Sequence, residues 1–153
     1  MRPASRNQLR WEDVEKGDEV TPVTLDVTFR RVIMTPGVTW DYFPGHHDPG
    51  YARAQGQPTI YLNTMTLVGF VDRVATDWAG PRTVITRRKI ALRRSVFAGD
   101  VITGHGSVTA KRREECEHGP RHLVDVDLEV RNADGDLCCP ASLTLLLPTR
   151  APE

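Results

Sequence analysis

Val23, Leu25, Val27 and Phe29 are separated by single polar residues, the period of a half-buried strand. Asp48-Pro49 then sets a side-chain cap before a proline at the first helical position, and Gly56 supplies a stop. These signals predict a short helix from Pro49 to Gln55. Asn63 is the next cap. From Thr64 to Trp78 strand alternation disappears, and Gly80-Pro81 closes the segment, which predicts a longer helix. That helix is apolar around most of its circumference and must be buried around most of it. Beyond it the period returns to two. Thr83 to Arg94 and Val101 to Arg112 read as strands joined by a turn at Phe97-Ala98-Gly99-Asp100. Val124, Val126, Leu128 and Val130 alternate with Asp125, Asp127, Glu129 and Arg131; Asn132-Ala133-Asp134-Gly135 is a turn, and Leu143, Leu145 and Leu147 alternate after it. Consecutive strands with short turns predict an antiparallel meander wrapped around one long helix, an α+β layer. Met1 to about Glu19 is polar and expected to be loose, apart from Trp11, which is expected to dock on the body. With neither repeat nor linker, residues 1–153 are expected to form one domain.

Composition narrows the classes. A chain of 153 residues has length for one core, and 39% apolar with 26% charged residues excludes wholesale disorder. Twenty Lys and Arg balance twenty Asp and Glu, so nucleic acid or a membrane surface is not an expected partner. No apolar run approaches the roughly 18 residues needed to span a bilayer. The N-terminus carries no apolar signal core, and a cytoplasmic protein is expected. Cys116, Cys138 and Cys139 fit neither a disulfide framework nor a zinc pattern. Cys138 and Cys139, adjacent in a strand, are expected to be inert.

Reactive side chains are densest in Trp40-Asp41-Tyr42-Phe43-Pro44-Gly45-His46-His47-Asp48, read as a turn-rich stretch after a strand and before a helix. Pro44-Gly45 breaks regular periodicity, so Asp41 and His46 can turn toward one pocket. A carboxylate and an imidazole facing one water are the minimum for general acid–base chemistry. The bland alternative makes Asp41 and Asp48 turn and cap residues and leaves the histidines exposed. A metal reading of His46-His47-Asp48 is weaker, because adjacent ligands diverge and no third ligand has a recognisable spacing. The run Arg87-Arg88-Lys89 with Arg93-Arg94 is either a solvated sheet face or a phosphate clamp, and it lacks the interleaved aromatics of an RNA binder.

Asp41-x-x-Pro44-x-His46, with Ala52 six residues after the histidine, resembles the hydratase-2 motif of MaoC-like enoyl-CoA hydratases. The resemblance continues through His47-Asp48-Pro49-Gly50-Tyr51-Ala52-Arg53, Thr76 to Pro81, Val96 to Asp100 and Val108 to Arg112, and covers roughly residues 11–147. It implies a hot-dog fold and reversible syn addition of water to a trans-2-enoyl-CoA, giving a (3R)-hydroxyacyl-CoA. In that scheme Asp41 holds and deprotonates the water, and His46 shares it and manages the proton delivered to C2. The backbone N–H of Thr64, at the buried helix start, receives the thioester oxygen. Gly45, Asn63, Arg93 and Arg94 are the expected substrate contacts. Coenzyme A enters only as the substrate's thioester; no metal and no other cofactor is expected.

Three positions depart from the family pattern. Thr39-Trp40 stand where relatives have small residues, Phe43 replaces the motif asparagine, and Gly45 replaces a branched residue. Gly45 is expected to leave room for a bulky acyl group. The stretches Gly45 to Asp48, Ala54 to Gly56, Leu62-Asn63 and Val74 to Pro81 are similar to the small subunit of actinobacterial hydratases for steroid side-chain enoyl-CoAs. That similarity implies an α2β2 assembly with a second hot-dog chain; the alternative is a homodimer. Two other functions compete: a non-catalytic subunit completing a partner's pocket, and an acyl-CoA thioesterase using Asp72 as its carboxylate.

Overall fold

The computed structural model describes residues 8–117 and 119–150. Five antiparallel strands, β1 (Glu19–Asp26), β2 (Val84–Ile90), β3 (Val101–Glu114), β4 (Arg121–Asn132) and β5 (Leu137–Leu146), form one sheet in the order β1-β3-β4-β5-β2. Three helices accompany it: α1 (Phe29–Thr39), α2 (Pro49–Ala54) and α3 (Thr64–Ala79). The sheet packs on α3, as the hot-dog expectation requires.

The alternation read in β4 sets the core. Val124, Val126, Leu128 and Val130 pair with Leu145, Leu143, Ala141 and Cys139 of β5, all on the face toward the helix. From α3, Leu67, Phe70, Val71, Val74, Ala75 and Ala79 are buried in the same cluster. Burial of each large apolar side chain contributes about 1.5–3 kcal/mol relative to exposure. At Gly104 of β3 the helix packs closely on the sheet: a β-carbon there would meet Val74 Cγ2 at 2.5 Å.

The structure corrects four expectations. Phe29 does not end a strand; Thr28 Oγ1 accepts from the Arg31 N–H, and Phe29 opens α1. β2 stops at Ile90, so Arg93 and Arg94 lie in the loop that follows. The turn at Phe97 to Asp100 exists, closed by Asp100 Oδ2 on the Phe97 N–H, but it leads from a loop into β3 rather than making a β2–β3 hairpin. β2 instead pairs with β5, at the opposite edge of the sheet from β1. Finally, the N-terminal segment is tied down from residue 8. Leu9 N–H donates to Ala79 O, Val14 is buried, and Trp11 docks as expected, its indole N–H on Leu123 O and Lys111 Nζ above its ring. Residues 1–7 of that segment lie outside the described residues.

Among the described residues no helix is long and apolar enough to cross a membrane. Cys138 and Cys139 are both fully buried, and burial pushes both thiols up from their ordinary pKa, which disfavours the reactive thiolate. Cys116 is exposed. Native protein should therefore react quickly with one equivalent of a thiol reagent such as DTNB, and with three after denaturation. Rapid reaction of three equivalents in the native state would contradict this burial.

Candidate active site

Asp41 reaches the site from the end of α1. Pro36 lies inside that helix, and its carbonyl accepts from the N–H groups of both Trp40 and Asp41. Trp40 takes a left-handed conformation at φ 57°, alone among the described non-glycine residues, and this turns the chain out of the helix. Asp41 thus follows a helix, where the sequence had suggested a strand. His46 closes the next turn, a 3₁₀ segment from Pro44 to His46. The Asp48 carboxylate caps α2 as expected, accepting from the N–H groups of Gly50 and Tyr51.

The two reactive groups meet. His46 is buried, and its Nε2 lies 3.4 Å from Asp41 Oδ2. The other ring nitrogen, Nδ1, is 2.7 Å from the carbonyl oxygen of Tyr61. A carbonyl only accepts, so Nδ1 carries the proton; in the neutral imidazole Nε2 is then a bare acceptor facing the carboxylate. The Tyr61 carbonyl is itself fixed, because residues 60–62 are laced to the loop before β3: Leu62 N–H donates to Val96 O and Ala98 N–H to Ile60 O.

Asn63 joins the two halves of the site. It is fully buried; its Oδ1 accepts from the backbone N–H of Thr66 at 3.0 Å and from the Thr66 hydroxyl, while Nδ2 donates to Thr39 Oγ1 at 2.6 Å. The side chain expected to touch substrate is therefore committed to pinning the end of α1 to the start of α3. Thr64, the first residue of α3, is exposed; its N–H has no partner within the helix, and the Asn63 cap is spent on Thr66.

Gly45 also needs correction. A β-carbon there would lie 2.6 Å from Tyr61 Oη and 2.7 Å from Phe43 Cε1, so the volume vacated by the glycine is filled by these rings. The glycine makes no room for an acyl group. Tyr61 and Phe43 are the residues that sequence reasoning missed as neighbours of the histidine. Phe43 was seen only as a lost asparagine, and nothing local to Tyr61 marks it.

The basic residues separate. Arg88 pairs with Asp72 of α3, and Arg94 pairs with Asp136. Asp72 lies eight residues along α3 from Thr64, about 12 Å at the helical rise, and holds β2 to the helix. The carboxylate that the thioesterase alternative would use is therefore engaged by Arg88 and stands away from the start of α3. Arg93 and Arg94 are exposed, their backbone N–H groups held on Cys138 O. They share a loop with Phe97, whose ring meets Tyr61. Among the described residues no group of three or more His, Cys, Asp or Glu is placed to hold a metal ion.

No protein-family model matches the chain. A curated relative from Mycobacterium tuberculosis, the 3-oxo-4,17-pregnadiene-20-carboxyl-CoA hydratase beta subunit, is 42% identical over 113 residues, 72% of this chain and 78% of the relative. The chain belongs to the MaoC-like enoyl-CoA hydratase family. A chain of the ChsH1–ChsH2 complex from the same organism superposes with a TM-score of 0.77 at 30% identity, covering 87% of this chain and 98% of that one. The unliganded R-hydratase PhaJ1 of Pseudomonas aeruginosa gives 0.82 at 19% identity, over 94% of this chain and 88% of that one, and shows the shared fold. In this MaoC-like chain the motif aspartate and histidine are present and in mutual contact despite the three departures around them.

Proposed function

We propose that the protein is an enoyl-CoA hydratase that adds water across a trans-2-enoyl-CoA to give a (3R)-hydroxyacyl-CoA, with Asp41 and His46 as its acid–base pair. The observation that carries this reading is the 3.4 Å approach of Asp41 Oδ2 to His46 Nε2, with the imidazole held through Nδ1 on the Tyr61 carbonyl. In the neutral imidazole, the form that can act as a base, Nε2 and Oδ2 are both acceptors and repel unless something donates to both. One water molecule does so, giving an O–H to each and turning its lone pairs toward C3. As the C3–O bond forms, the water's proton passes to the pair and on to C2, so both residues end as they began. Negative charge builds on the thioester oxygen, and the Thr64 N–H at the start of α3 is the donor suited to it. Because one pair handles both the hydroxyl and the proton, both arrive on the same face of the double bond. Hydration of crotonyl-CoA in deuterium oxide should give (3R)-hydroxybutyryl-CoA with deuterium added syn at C2; anti addition would contradict this placement, and a (3S) product would contradict the (3R) reading.

Arg93 and Arg94 are proposed to hold the phosphates of coenzyme A. The Arg94–Asp136 pair is roughly half exposed, so it contributes little and can give way to a phosphate. Such contacts act on ground and transition state alike. Neutralising both arginines should raise KM more than it lowers kcat, by a factor that shrinks at high salt. An unchanged KM across salt concentrations would assign the loop to solvent.

The M. tuberculosis relative is named as a subunit of a steroid-type acyl-CoA hydratase, and ChsH1–ChsH2 is a complex. On that ground the acyl group is proposed to be a steroid side chain, and the working assembly a heteromer with a second hot-dog chain. No cofactor takes part. Light scattering of the chain alone and co-expressed with such a chain tests the assembly. A stable homodimer that turns over short enoyl-CoAs unaided would overturn the heteromer.

A further inference from the structure

Phe43 and Gly45 depart from the motif on either side of Pro44, and Tyr61 reaches the same spot from across the site. Their contacts interlock. A β-carbon on Gly45 would lie 2.6 Å from Tyr61 Oη, 2.9 Å from Tyr61 Cζ and 2.7 Å from Phe43 Cε1. Neither ring retreats without moving others. The Tyr61 ring meets His46 edge-on at 5.2 Å and Phe97 at 6.2 Å; the Phe43 ring meets His46 at 5.5 Å and Tyr51 at 5.6 Å. The backbone repeats the connection, with Tyr61 N–H donating to Gly45 O and His46 Nδ1 donating to Tyr61 O.

We infer that Phe43, Gly45 and Tyr61 form one interdependent unit that positions the His46 imidazole. Both rings meet the imidazole edge-on, and the Tyr61 carbonyl holds the proton on Nδ1. The glycine is what allows the rings to close. Phenylalanine for asparagine and glycine for a branched residue are then a single coupled exchange, in which the volume lost at 45 is the volume the rings occupy. Phe43 and Tyr61 act through His46 and are positioning residues. The kinetic consequence rests on the proposed hydratase reading, whereas the orientation of the imidazole does not.

Gly45→Val, Tyr61→Leu and the double variant test this coupling in the assembly that is active. Gly45→Val should lower kcat by about tenfold or more with KM within about twofold, since the base is displaced while the substrate contacts remain. In protein labelled with ¹⁵N-histidine, the His46 Nδ1–H resonance, assigned by its loss in His46→Ala, should be protected from exchange in the parent and lose that protection in Gly45→Val. Tyr61→Leu alone should also lower kcat, yet adding it to Gly45→Val should recover about threefold or more, because the crowding is relieved. Additive losses, or a Gly45→Val protein that keeps both its kcat and its protected Nδ1–H, would overturn the inference. If Gly45→Val does not fold, Phe43→Leu carries the test, since it only opens space: the same loss of protection is expected, and retained protection overturns the inference. A parent protein that hydrates no enoyl-CoA would defeat the hydratase reading, and the resonance would still decide the positioning.

Discussion

Asp41→Asn and His46→Ala should each lower the hydration rate of an enoyl-CoA by about a hundredfold or more while leaving the protein folded, the usual scale for a positioned acid or base. Asp41→Asn keeps the shape of the side chain but replaces one acceptor oxygen with a donor, so the water loses one of the two groups that hold it. His46→Ala removes the other acceptor and releases the Tyr61 carbonyl, but it leaves the ladder between residues 60–62 and the loop before β3 in place. The two groups act on one water, so their effects should not add: the double variant should be little worse than the poorer single one. Circular dichroism and steady-state kinetics on the three variants check both statements. Near-normal turnover in a folded Asp41→Asn protein would remove the catalytic assignment.

Asn63→Ala should cost about 1–3 kcal/mol of stability, more than a surface substitution. Loss of the helix cap accounts for about 1 kcal/mol of that. The rest follows from the half-buried hydroxyls left behind: Thr66 loses its side-chain acceptor, while Thr39 loses the Asn63 donor but still donates to Thr35 O, so the added loss is about 1 kcal/mol. Function should fall with stability even where the protein remains folded, because Thr39 lies two residues before Asp41 and its tether to α3 sets where the carboxylate stands. Denaturant midpoints measure the first effect and kcat the second. Asn63→Asp, which keeps the cap acceptor and loses the donor to Thr39, should retain most of the stability and recover less of the kcat. A loss under about 0.5 kcal/mol with unchanged turnover would show that the α1–α3 pin is dispensable.

What the sequence revealed and what it hid differ for identifiable reasons. The long helix was legible because its signals are local: a capping asparagine, an unbroken apolar run, and glycine before proline. β4 was legible because its inner face is apolar and its outer face charged at every step. α1 was hidden. Val32, Ile33, Thr35, Pro36, Gly37 and Val38 have poor helix propensity, and the helix exists through the Thr28 cap and the burial of Val32 and Pro36. The position of β2 at the far edge was hidden as well, since a turn signal marks a change of direction and not which strand lies alongside.

The site divides in the same way. Asp41 and His46 were visible as reactive types on either side of a proline–glycine kink, whereas the α1 end and the Tyr61 carbonyl that hold them were not. Gly45 was misread because the atoms that fill its space belong to Tyr61, sixteen residues away, and to Phe43 folding back on it. Asn63 was seen as a cap but not as a bridge, because its second partner sits at the end of the helix the sequence concealed. Arg94 was read as a substrate contact without a partner in the chain being visible, because Asp136 comes from the β4–β5 turn, more than forty residues later.

Simultaneous recording of enone absorbance and free thiol with crotonyl-CoA and with a steroid side-chain enoyl-CoA, by the chain alone and co-purified with a second hot-dog chain, tests the hydratase assignment most directly. The expected result is loss of enone absorbance without thiol release in at least the co-purified assembly, slowed about a hundredfold or more by Asp41→Asn. Thiol release at the rate of enone loss, or an assembly that consumes neither thioester, would contradict it.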